Sequence, residues 1–136
     1  MQNSTMQNLT LLVGRIVLAA MMFWSGFGHL MSYTSIHNYI ADWSVPGFIK
    51  PILILWEIGA GLLLLVGAYT RAAAIALVVF CVLAGFLQHV HEGSDVETLE
   101  LIDFMKNMAL VGGFLYAAAI GGGDWSLGKK YNLKWS

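Results

Sequence analysis

The chain has 136 residues, of which 58% are hydrophobic and only 11% charged, with a net charge of -1. A soluble domain is usually about a quarter charged, and the mean hydropathy of +0.71 points instead to one compact membrane domain covering residues 1–136. A net charge so close to zero argues against a nucleic-acid partner. The only cysteine, Cys81, cannot form an internal disulfide and no CxxC occurs. This excludes thiol–disulfide exchange between the chain's own cysteines and leaves Cys81 as a small buried hydrophobe.

Residues 1–7 are polar and uncharged. Residues 9–29 are apolar apart from Arg15 and Ser25, long enough for a first transmembrane helix. No basic n-region precedes this run and no small-x-small site follows it, so a retained span is preferred to a signal peptide. Between residues 31 and 50 the apolar Ile36, Tyr39, Ile40 and Trp43 fall at helical spacing among Tyr33, His37, Asn38, Asp42 and Ser44. That pattern predicts a short amphipathic helix lying at the interface. Further spans are predicted over residues 49–68, 72–87 and 102–120, with Gly67–Arg71 as a tight connection and Gly121-Gly122-Gly123 as a stop. Gln88 to Asp103 forms an acidic loop, and Asp124 to Ser136 reads as an interfacial or solvated end.

The expected fold is therefore all-α, a four-transmembrane-helix bundle with an interfacial helix between the first two spans. Four spans place both termini on one side, with Arg15, Arg71, Lys129, Lys130 and Lys134. Lys50, Lys106 and the acids fall on the other. The positive-inside rule assigns both termini to the cytoplasm. Ala109, Gly113 and Ala117 recur every four residues and predict a close helix contact, and Gly59 and Gly61 suggest another.

The chemistry centres on Glu57, a lone carboxylate in the apolar run 53–66. An acid in lipid needs a partner or a proton. Ser25 and His29, four apart on one helix face, Gln88 and His89, and Lys106 and Asn107 lie at the same outer end. Only Arg15 occupies the inner half, where its side chain is expected to snorkel to the headgroups. Polar groups converging at one end describe a half-deep pocket rather than a pore. An ion pair between Glu57 and Lys106 is the expected lock, and a purely structural bundle lock is the competing reading. His89 and His91 are the residues a metal reading would use, with Glu57 or Glu92. His89-x-His91 suits a metal only in extended backbone, so no dedicated metal site is assigned. Neither a phosphate loop nor a Gly-x-Ser-x-Gly elbow is present.

Several stretches together resemble the DoxX family. Arg15 followed by Phe23-Trp24-Ser25-Gly26-Phe27-Gly28-His29-Leu30 is similar to its first-helix signature. Glu57, Gly61 and Leu64-Leu65-Val66-Gly67-Ala68-Tyr69-Thr70-Arg71 resemble its second helix and Thr-Arg turn. Gln88-His89-Val90-His91, Phe104-Met105-Lys106-Asn107-Met108 and Asp124-Trp125-Ser126-Leu127 resemble its third-helix end, its Lys-Asn motif and its closing segment. The chain departs from the pattern at His29, where the family often has Lys. The resemblance implies a four-helix inner-membrane protein of bacteria. Some relatives are membrane subunits of thiosulfate:quinone oxidoreductase or associate with redox-protective enzymes.

The favoured functional expectation is a redox-associated membrane subunit binding a quinone-like or other small amphipathic ligand at Ser25, His29, Trp56, Glu57, His89, Lys106 and Asn107. The carboxylate and histidines would handle protons, and Lys106 and Asn107 would orient the head group. The alternative is a non-catalytic accessory or scaffold protein, a homo-oligomer or one that recruits a membrane or exported redox partner. A solute carrier is disfavoured, because alternating access needs polar groups on both sides.

Overall fold

In a computed structural model the protein is described over residues 4–35, 48–89 and 97–136. The described residues form helices and turns without strands: α1 (Thr5–Ser35), α2 (Ile49–Val66), α3 (Thr70–His89), α4 (Glu97–Ile120) and the short α5 (Leu127–Lys130). The interfacial helix proposed around Ile36–Trp43 lies outside them, as do His37, Asp42, His91, Glu92 and Asp95.

Neighbouring helices run antiparallel. Gly61 of α2 faces Met22 of α1, Gly26 of α1 faces Ile58, and Gly85 of α3 faces Phe104 and Met108 of α4. The most extensive packing joins α3 to α4 and then α1 to α2, whereas α1 and α4 touch sparsely. Phe114, Leu64, Leu77 and Cys81 fill the centre, so Cys81 is a buried core residue. Large apolar side chains remain exposed along all four long helices, including Val17, Trp24, Leu55, Leu62, Val79, Leu83, Leu115 and Tyr116. Among the described residues two helices, over Thr5–Met31 and Ile49–Val66, are long and apolar enough to cross a membrane. Thr70–Phe86 and Phe104–Ile120 are shorter apolar stretches.

The helix ends follow backbone chemistry. Gly67 closes α2 in the left-handed region at φ 73°, with its N–H donating to Leu64 O and that of Ala68 donating to Leu63 O. This is the Schellman arrangement, which glycine enters without Cβ strain. Gly121, at φ 87°, ends α4 as the glycine run predicts. Of the small residues singled out in the sequence, Gly61 and Gly113 permit close approach: a Cβ there would lie 3.1 Å from Met22 Cβ and 3.0 Å from Leu18 Cδ2, respectively. Gly59 meets nothing within 4 Å, and Ala109 is exposed.

The tail, read from the sequence as an interfacial or solvated end, is tied to the bundle by hydrogen bonds. Ser126 caps α5 by accepting from the Lys129 N–H at 3.2 Å, and both Ser126 and Gly128 are buried. The Arg71 N–H donates to Trp135 O at 2.9 Å, and its guanidinium reaches Ser136 O and Ile120 O. At the other edge Asn8 Nδ2 donates to Asp124 Oδ2 at 3.1 Å while the Asp124 N–H donates to Asn8 Oδ1 at 3.0 Å. Asn8→Ala removes both bonds and is expected to cost about 1–2 kcal/mol. A thermal-unfolding series in detergent checks this, with Thr5→Ala, at an exposed nearby position, as the control.

Candidate functional site

Glu57 is the ninth residue of the 18-residue α2 and is fully buried. His29, on α1, brings Nδ1 to 2.9 Å from Glu57 Oε2, with its side chain 17% exposed. A proton on Nδ1 makes this a charge-assisted bond across the two helices. The helices meet closely here because Gly26 carries no side chain. A Cβ at that position would sit 2.7 Å from Ile58 Cγ1 and 3.6 Å from Glu57 Oε2. Glu57 Oε1 is buried and has no hydrogen-bond partner among the described residues. The site therefore holds one engaged and one open carboxylate oxygen, the latter a strong acceptor in an apolar setting.

The other predicted residues divide. Ser25, four residues before His29, is half-buried. Trp56 is half-buried and tilts against Phe80 of α3 at a centroid separation of 6.2 Å. Asn107 is half-buried on α4 opposite Gly85. Lys106 is exposed and does not form the expected ion pair with Glu57. The reason is lateral: α4 packs on α3 and sparsely on α1, so it lies diagonally across from α2. The side chain of His89, at the end of α3, and all of His91 fall outside the described residues. Among the described residues no three His, Cys, Asp or Glu side chains cluster as metal ligands.

The opposite end holds a polar group that the sequence placed in the headgroups. Arg15 turns inward and is 3% exposed. Its Nη2 donates to Trp125 O at 2.6 Å, and Nε and Nη1 have no partner among the described residues. The folded-back tail supplies the carbonyl, and the C-terminus of α2 adds the favourable end of its dipole.

The DoxX family profile matches residues 10–90, which include most of α1 and all of α2 and α3, with Arg15, His29, Glu57 and the Gly67–Arg71 turn. The chain belongs to the DoxX family. It is 35% identical over 130 residues to the "Inner membrane protein YqjF" of Escherichia coli, covering 96% of this chain and 98% of that protein. It is 26% identical over 124 residues to "Inner membrane protein YphA" of the same organism, covering 88% of this chain and 89% of that protein. No solved structure matches.

Proposed function

We propose that this DoxX protein is a bacterial inner-membrane protein with four membrane-spanning helices and both termini in the cytoplasm. In this reading it is a redox-associated subunit. It binds a small amphipathic molecule with a hydroxyl-bearing head group, a quinol or a relative of one, beside the His29–Glu57 pair. The relatives named as inner-membrane proteins support the location, and the basic residues gathered at the Arg15 end support the orientation.

The observation that carries the ligand reading is the open Glu57 Oε1. Buried acceptors are almost always satisfied, and a ligand hydroxyl is a donor of the right size for this one. His29, fixed on the other carboxylate oxygen, holds the acceptor in place. Trp56, the preceding residue on α2, packs against Phe80 of α3. Electrons would leave through a partner protein, and the role assigned to this chain is binding and proton acceptance alone.

The test is binding of a short-chain ubiquinol or menaquinol analogue to purified protein in nanodiscs. Glu57→Gln keeps the shape but replaces the carboxylate, and is expected to weaken binding about 10–100-fold, the loss of a charged hydrogen bond. Equal binding by wild type and Glu57→Gln, with both folded, discards the ligand site and leaves the accessory role.

A further inference from the structure

A second site lies at the other end of the molecule, between α1 and α4. These helices leave a crevice of about 110 Å³ walled by Gly14, Arg15, Leu18, Gly113, Tyr116 and Ala117. A second groove shares Thr10, Leu11 and Ile120 with it and extends along α1 to Met6. The walls are apolar apart from Thr10 and Arg15, whose guanidinium lies inward against Gly67 and the Trp125 carbonyl. Arg15 has no carboxylate partner among the described residues: the ion pairs there are His29–Glu57 and Lys129–Asp124. One guanidinium nitrogen is satisfied by a neutral carbonyl and two are not. A buried cation without a counter-charge is unfavourable until an anion is supplied.

The depth also discriminates. Arg15 packs against Gly67, the residue that closes α2. The 18 residues of α2 span about 27 Å at 1.5 Å per residue, close to a bilayer's hydrocarbon thickness. Its end therefore marks the boundary between acyl chains and head groups. Thr70 Oγ1, fully buried and also unpartnered among the described residues, lies beside Gly122 and Ser126 near the same boundary.

We propose that the α1–α4 crevice binds an anionic phospholipid, with an acyl chain along Leu18, Ala117 and Tyr116 and the phosphate drawn to Arg15. A basic pocket between membrane helices is suited to such a head group. A lateral opening suits an acyl chain better than a free oxyanion, which would need an aqueous approach.

Native mass spectrometry of protein released from vesicles of phosphatidylglycerol and phosphatidylcholine tests this. Wild type is expected to retain one phosphatidylglycerol with about tenfold preference, the worth of one charge-assisted contact. Arg15→Gln should abolish the preference. Gly14→Leu should do the same while leaving the guanidinium in place, since a Cβ at Gly14 meets nothing within 4 Å and a longer side chain there fills the crevice. It decides the matter where Arg15→Gln does not fold. Gly28→Leu, equally open but at the far end of α1, should retain the lipid. Equal retention of both lipids by wild type, or unchanged preference in Gly14→Leu, overturns the proposal. Inorganic phosphate in detergent should leave the melting temperature of wild type where it was. A rise equal in wild type and Gly14→Leu would mark a free-oxyanion site and overturn the lipid assignment.

Discussion

His29→Ala is expected to destabilise the protein by about 3–5 kcal/mol, because it strands the buried Glu57 carboxylate without its partner. Most of that loss comes from the acid left behind rather than from the bond itself. The double variant His29→Leu/Glu57→Leu should therefore recover to within about 1–2 kcal/mol of wild type, since an apolar pair of similar volume avoids the stranded charge. His29→Lys keeps a cationic hydrogen-bond donor opposite the Glu57 carboxylate and should stay close to wild type. Equilibrium unfolding in mixed micelles measures all three. A double variant no more stable than His29→Ala would mean that the pair does more than neutralise the acid.

The second large effect belongs to Gly67→Ala, expected to cost about 3 kcal/mol or more. The left-handed backbone at φ 73° accounts for about 1–2 kcal/mol. The rest follows from crowding. The new Cβ would overlap Arg15 Nη1 and lie 2.5 Å from Ser126 Cβ. Accommodating it moves the guanidinium off the Trp125 carbonyl and loosens the tail. Gly28→Ala is the matched control, because that helical position is open and alanine there should gain up to about 1 kcal/mol in helix propensity. Thermal unfolding of both variants separates the two cases, and a Gly67→Ala protein that melts with wild type would refute the close packing of Arg15 on this turn.

The helices were legible because apolar runs of span length admit few other structures. Their ends were less so. The first hydropathic run covers residues 9–29, yet α1 runs from Thr5 to Ser35, since backbone hydrogen bonding continues through polar residues that lipid would not favour. Glu57 stood out by cost alone. Its partner was harder to name, because position along a span gives depth and not angle around the bundle. Lys106 and His29 both sit at the outer end by depth, and only the packing of α4 on α3 separates them. Arg15 was misplaced for a related reason. Snorkelling is the default for a long cation near a helix end. The carbonyl that turns Arg15 inward comes from Trp125, 110 residues away. The one local hint was glycine at position 67, read from the sequence as part of a turn but also needed to make room for the guanidinium.

The folded-back tail has a bearing on biogenesis. Asn8 and Arg15 bond to Asp124 and Trp125, so α1 is synthesised well before the residues that meet these two side chains. During synthesis the Arg15 guanidinium must be solvated by water or phosphates, which would hold that edge of α1 at the surface while later helices insert. Asp124 and Trp125 then provide the clasp that draws the arginine inside, so closure of this end waits until they have been made.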